Sequence, residues 1–144
     1  MPQFATGSFD VKITPTPLAD TTADSTLGRM TIDKKYHGDL EATAKGEMLT
    51  AMGVVKGSAG YVAVERITGT LHGRKGSFSL QHNGVMNRGE QHLTIMVVPD
   101  SGSGQLTGLS GDLSIRIAEG KHFYELQYSL PDEKPLADDM PASG

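Results

Sequence analysis

The stretch ERITGTLHGRKGSFSLQHNG, residues 65–84, decides the fold, because it has the form of two alternating strands joined by a tight turn. Gly73-Arg74 is typical of a two-residue hairpin loop, and such a loop fixes which residues face each other across the hairpin. One face is then apolar and the other is mostly polar, so the apolar face is predicted to turn toward the core. The predicted inward pairs are Leu71/Gly76, Gly69/Phe78, Ile67/Leu80, Glu65/His82, Ala63/Gly84 and Tyr61/Met86.

Four further turns predict the same orientation for the neighbouring strands. They lie at Lys56-Gly57, Arg88-Gly89, Glu119-Gly120 and His37-Gly38-Asp39. The inward pairs that follow are Met52/Tyr61, Met48/Glu65, Gly46/Ile67, Gly84/Leu93, His82/Ile95, Leu80/Val97, Ile115/Tyr124, Leu113/Leu126 and Gly111/Tyr128. The last turn directs Met30, Ile32, Lys34 and Tyr36 inward, and Glu47 is predicted to pair with Arg66 on the outside.

These segments predict an all-β fold, an eight-stranded antiparallel up-and-down barrel. The predicted strands are residues 4–13, 28–36, 40–54, 58–71, 76–86, 91–99, 105–117 and 122–130. Residues 39–52 also fit an amphipathic helix, with apolar side chains at intervals of four, but the turns on both sides favour a strand. A barrel of eight strands is either filled by side chains or holds one small ligand, and the sequence leaves both possibilities open.

Composition limits the class of protein. A chain of 144 residues fits one domain, here predicted over residues 1–130, with a disordered acidic, proline-rich tail over 131–144. The tail carries a net charge of −3 and leaves the rest near neutral, which argues against nucleic acid or membrane lipid as a partner. The absence of cysteine, of a long apolar run and of a secretory signal pattern leads us to expect a cytoplasmic protein.

Several stretches resemble a known family. Besides 65–84, they are VVPDSGSGQLTGLSG at 97–111, GEMLTAM at 46–52, SAGYVAVE at 58–65 and YELQYSL at 124–130. Together they are similar to a family of small bacterial barrels of unknown function, within the allene-oxide-cyclase-like, calycin-like barrels. The resemblance covers about residues 5–130 and implies an eight-stranded barrel that self-associates. It implies no substrate, and no working residue of the cyclases matches here.

Glu65 and His82 are the candidate catalytic residues. A carboxylate within hydrogen-bond reach of an imidazole fixes its tautomer and produces a general base or a polar anchor. The plainer alternative is that two buried polar groups simply satisfy each other.

Other inward residues complete a candidate ligand-binding set. It comprises Glu65, His82, Tyr128, Lys34, Met48 and Ile95. Tyr128 could bring its hydroxyl to the same cavity, although an aromatic ring packed over Gly111 is the commoner role. The ammonium group of Lys34 is expected to reach the rim of the barrel along the wall. The five histidines have no metal-ligand spacing, so no metal and no cofactor are predicted.

The sequence therefore favours a barrel that binds a small apolar or amphipathic molecule. An isomerase or cyclase that uses Glu65 and His82 for proton transfer is the second hypothesis. A filled barrel that serves as a structural or interaction module is the third. Apolar side chains on the outward side, at Leu49, Ala51, Met96 and Val98, predict a homodimer.

Overall fold

The computed structural model describes residues 2–19 and 26–131, and these form a closed antiparallel barrel. The strands are β1 (Gln3–Pro15), β2 (Leu27–Gly38), β3 (Leu40–Met52), β4 (Ala59–Leu71), β5 (Arg74–Asn87), β6 (Glu90–Val97), β7 (Ser103–Gly104), β8 (Ser110–Ala118) and β9 (Lys121–Ser129). Eight long strands pair in sequence order, and β9 returns to pair with β1. The short β7 pairs only with the beginning of β5. The predicted eight-stranded barrel is confirmed, and no part of the described chain is helical.

The strand predicted at residues 105–117 is wrong at its beginning. Residues 105–108 form a turn, in which Gly108 has a positive φ angle of 84° that a strand does not accommodate. Leu106 in this turn and Leu109 directly after it are both 1 % exposed. The segment thus folds over one end of the barrel and closes it with two leucine side chains.

The registers of two hairpins, β5–β6 and β8–β9, are as predicted, with His82 opposite Ile95 and Leu113 opposite Leu126. The predicted register of β4–β5 is wrong by two residues. His72 and Gly73 form the loop, both with positive φ angles, instead of Gly73 and Arg74. Glu65 therefore lies opposite Leu80, and His82 lies opposite Ala63. The shift is even, so every side chain keeps its predicted face.

The register of β3–β4 is also shifted by two residues, because the connection between these strands spans residues 53–58. Gly46 lies opposite Glu65, and Val64 lies opposite Glu47. The predicted Glu47–Arg66 pair is therefore wrong. The carboxylate of Glu47 instead binds Arg29 on β2, at 2.6 Å.

The pairing of β2 with β3 ends at Tyr36 and Ala42, so the predicted three-residue loop is longer and spans residues 37–41. Gly38 and Leu40 belong to strands because they pair with β1 and β4. The side chains predicted to face inward from β2 are buried at Ile32, Lys34 and Tyr36 and half-buried at Met30.

The two ends of the barrel differ. At one end, here called the closed end, the buried core includes Leu40, Leu71, Leu106, Leu109 and Tyr128. At the other end, here called the mouth, four apolar residues at inward-facing strand positions are 45–66 % exposed. They are Ile13, Met52, Leu93 and Ile117. The core thus fills the closed half of the barrel and leaves the mouth open. The predicted tail, apart from Pro131, lies outside the described residues.

Candidate functional site

A pocket of about 430 Å³ occupies the mouth of the barrel. It is lined by Met30, Met48, Thr50, Met52, Ala59, Gly60, Tyr61, Gly84, Val85, Met86, Gln91, His92 and Leu93. This volume is within the range of small-molecule sites, and the lining is mostly apolar, as such sites usually are. Four methionines contribute flexible thioethers, which adapt to ligands of different shapes. The strand alternation that directs these side chains inward is therefore what builds the pocket.

A charged cluster lies in the barrel interior, centred on Glu65, whose side chain is fully buried. The Lys34 ammonium donates to Glu65 Oε2 at 2.8 Å, and the Tyr36 hydroxyl donates to Oε1 at 2.7 Å. His82 Nε2 lies 2.6 Å from Oε2. The carboxylate is thus held by three groups from β2 and β5, so its buried negative charge is compensated.

Hydrogen bonding decides the charge state of Glu65. Burial raises the pKa of its carboxyl. The hydrogen bond from His82 lowers it, as do the charge and hydrogen bond of Lys34 and the hydrogen bond of Tyr36, and these effects prevail. The pKa of Glu65 is therefore below its ordinary value. The pKa of Tyr36 is raised well above its ordinary value, first by burial and then by the Glu65 charge. The cluster therefore contains an ionised carboxylate and a neutral phenol.

The ammonium group of Lys34 does not reach the rim, contrary to the prediction. Lys34 is 9 % exposed, and its nitrogen lies 4.8 Å from the centre of the Phe9 ring and 5.6 Å from that of Tyr36. The aromatic faces and the Glu65 carboxylate together hold the charge inside the barrel. Lys34 and Tyr36 were both predicted to face inward from β2, but their shared contact with Glu65 was not predicted.

His82 is oriented by Glu65. An ionised carboxylate only accepts hydrogen bonds, so the proton on this side of the ring belongs to Nε2. Among the described residues, no hydrogen-bond partner faces the other ring nitrogen, Nδ1. His82 is nonetheless 4 % exposed. A buried polar atom without a partner is costly, and it is a common feature of a ligand site.

Tyr61 connects the pocket with the charged cluster. Its ring lines the pocket and lies 6.3 Å from the His82 ring, centre to centre. It packs against Gly84, where a Cβ atom would overlap the ring. Burial raises the pKa of Tyr61, and the Glu65 charge raises it further. The hydroxyl has no hydrogen-bond partner within the described part of the chain.

The remaining predicted site residues lie in three different places. Met48 lines the pocket. Ile95 is buried in the core directly opposite His82. Tyr128 lies at the closed end, where its hydroxyl binds His72 and Gln3. The structure therefore brings Glu65, His82 and Lys34 together and keeps Tyr128 apart from them.

A second, open groove of about 990 Å³ runs along the outside of the barrel. Outward side chains of β2 to β5, including Leu27, Leu49, Val62 and Val85, line it together with Leu18. It is larger than the pocket at the mouth and lies on the outer surface.

Within residues 2–19 and 26–131, three or more histidine, aspartate or glutamate side chains nowhere gather as a metal site would require. No helix of sufficient length and apolarity to cross a membrane occurs in the same residues.

Fold and site together define a small closed barrel with an apolar pocket at one end and a buried acid–lysine–histidine cluster beneath it. Residues 5–128 match the family described as "Protein of unknown function (DUF3224)", and the chain belongs to that family. A protein with unknown function from the same family, from Shewanella oneidensis MR-1, has a crystal structure, and its sequence is 50 % identical to this chain. The similarity covers 92 % of this chain and all of that one, with a TM-score of 0.87. No curated protein matches the chain.

Proposed function

We propose that this barrel binds a small apolar or amphipathic molecule in the pocket at its mouth. The observation that carries the proposal is the pocket itself, about 430 Å³ of mostly apolar space between strands whose lower half is filled. Removal of the apolar part of a ligand from water provides the driving force, at about 25 cal/mol for each Å² buried. Glu65 and His82 act as the polar floor that orients the ligand.

A neutral fluorescent probe, N-phenyl-1-naphthylamine, tests the proposal. The parent protein is expected to bind it with a rise in fluorescence. Met86→Lys places a charge in the pocket and is expected to weaken binding roughly tenfold, because the probe would have to desolvate an ammonium group. Met96→Lys is the matched control, since Met96 is 42 % exposed on the outer wall. It is expected to bind like the parent.

The outer groove is the competing site, and Val62→Lys distinguishes it from the pocket. Val62 is 51 % exposed and lines the outer groove but not the pocket at the mouth. If Val62→Lys lost the probe and Met86→Lys retained it, binding would belong to the outer wall and the proposal would be rejected.

An isomerase or cyclase in the manner of the allene-oxide-cyclase-like barrels is the second candidate. The 2.6 Å contact between Glu65 and His82 favours it, because such a pair can move a proton. Once a bound molecule is identified, Glu65→Gln and His82→Ala should abolish its conversion. Turnover equal to that of the parent protein would reject this candidate and leave the binding function untouched.

A further inference from the structure

We infer that the ligand carries a hydroxyl head group that donates a hydrogen bond to His82 Nδ1 and accepts one from the Tyr61 hydroxyl. The inference rests on the proposed binding function and specifies the chemistry of the ligand. It depends on two polar atoms without a hydrogen-bond partner among the described residues, the hydroxyl of Tyr61, which lines the pocket, and Nδ1 of His82, whose ring centre lies 6.3 Å from that of Tyr61.

His82 supplies the acceptor. Its Nε2 donates to Glu65, so in the neutral imidazole Nδ1 carries the lone pair. The two ring nitrogens project to different sides of the ring, which turns Nδ1 away from Glu65. The Lys34 ammonium already balances the Glu65 charge at 2.8 Å, so the cluster needs no second cation.

Tyr61 supplies the second contact. Its ring lines the pocket and lies beside the ring of His82. Burial and the negative charge of Glu65 both raise the pKa of its hydroxyl. The raised pKa keeps this hydroxyl protonated and therefore able to donate. A ligand hydroxyl between the two residues would satisfy both atoms at once, because a hydroxyl both donates and accepts.

Charge excludes the main alternative, a carboxylate head group. No lysine or arginine lines the pocket among the described residues, and the Lys34 ammonium is held by Glu65. A carboxylate in this position would therefore lie in an apolar surrounding beside Glu65 without a cation to pair with. A neutral hydroxyl carries no such cost, so the predicted class is an alcohol or phenol with an apolar body.

Three probes with an eight-carbon chain test the inference by calorimetric titration: 1-octanol, its methyl ether and octanoate. The ether still accepts from Tyr61 but has no proton to donate to His82. It is expected to bind roughly fivefold more weakly than octanol, the effect of one lost hydrogen bond. Octanoate is expected to bind more weakly than both. Tyr61→Phe should weaken octanol and ether by the same factor, since it removes the donor that both use.

The ¹⁵N resonance of His82 Nδ1 gives a second readout that does not depend on affinity. It should move when octanol is added and stay in place when the ether is added. Equal affinities of octanol and ether, with an unmoved Nδ1 signal, would overturn the inference while binding itself remained. Tightest binding by octanoate would overturn it as well. If none of the three probes bound, both the inference and the proposed function would fail.

Discussion

At the scale of single residues, the stability of the barrel interior depends on Glu65. It is fully buried and receives three hydrogen-bonding partners, one of which is the charged Lys34. Glu65→Gln removes the negative charge and leaves that ammonium buried without compensation. We expect a loss of about 3–5 kcal/mol in the free energy of unfolding, measured by urea denaturation at neutral pH.

An exposed ion pair supplies the control. Lys45 and Asp33 lie 2.7 Å apart on the outer wall, with side chains that are 86 % and 48 % exposed. Asp33→Asn should cost less than about 1 kcal/mol, because exposed pairs contribute little. The double variant Lys34→Met with Glu65→Gln should be more stable than Glu65→Gln alone. If Glu65→Gln cost no more than Asp33→Asn, the role assigned to the buried carboxylate would be wrong.

The lowered pKa of Glu65 predicts a dependence of stability on acid. The folded state holds this carboxyl ionised below its ordinary value of 4.5, whereas the unfolded chain takes up a proton there. The contribution of Glu65 is therefore complete above pH 4.5 and is lost as the pH falls through the folded-state pKa. Denaturation series across this range should show a steeper decline for the parent than for Glu65→Gln. Parallel declines would contradict the lowered pKa.

Residue identity and alternation were enough to predict that Glu65 and His82 both face the interior. Successive residues of a strand point to opposite sides, so the odd or even position of a residue decides its side. The direct pairing was predicted wrongly, yet a diagonal neighbour is still within reach of a long side chain. The place of Lys34 could not be predicted from alternation alone. It depends on Phe9, which the pairing of β1 with β2 brings near the ammonium, as well as on Tyr36, which lies two residues along β2.

At the scale of elements, Tyr124 fastens β9 to the turn between β2 and β3. Its hydroxyl accepts from the amide of Leu40 at 2.9 Å and lies 3.0 and 3.2 Å from the carbonyl oxygens of His37 and Leu40. Burial is the main reason that its pKa rises from 10.0 to about 12, and the backbone hydrogen bond of Leu40 opposes the rise. The fold therefore favours the protonated phenol.

This raised pKa predicts a loss of stability in alkali. The unfolded chain releases the Tyr124 proton near pH 10, while the folded barrel retains it up to about pH 12. The stabilisation is complete below pH 10 and is lost as the pH rises toward 12. Thermal denaturation from pH 9 to 12 should show a smaller decline for Tyr124→Phe than for the parent. An identical decline in both proteins would show that Tyr124 does not cause the loss of stability in alkali.

The order of the strands could be predicted because glycine-containing turns are strong local signals. The registers of β3–β4 and β4–β5 could not, since adjacent loop positions fit the same sequence and only the backbone decides between them. His72, for example, adopts a φ of 47°, a conformation that is uncommon for a residue other than glycine. The turn at residues 105–108 was likewise hidden, because Leu109 is in phase with Leu113 and Ile115 and extends an apolar alternation that resembles a strand.

At the scale of the whole molecule, self-association remains a prediction, and the outer wall gives it a location. Leu49 lies opposite Val62 on neighbouring strands, and the two side chains are 50 % and 51 % exposed. We expect light scattering after size exclusion to give twice the mass of one chain, and Leu49→Lys to reduce it to one. A parent of single-chain mass would reject the homodimer.

Barrel closure explains why the pocket could not be predicted from sequence. Small inward residues fitted a filled interior and a cavity equally well. The difference arises because the 98–109 connection closes one end with two leucines, whereas Ile13, Met52, Leu93 and Ile117 at the other end remain 45–66 % exposed. The same alternation therefore gives a filled core at one end and an open mouth at the other.

The most direct test of ligand binding in the mouth is a methyl spectrum of the protein labelled at its methionine methyl groups, recorded during titration with 1-octanol. Met30, Met48, Met52 and Met86 line the pocket, while Met96 lies on the outer wall and serves as an internal control. The methyl resonances of the four pocket methionines are expected to shift in a saturable manner while that of Met96 stays in place. If the four pocket resonances stayed fixed, or if all five moved together without saturation, the pocket would not be a binding site.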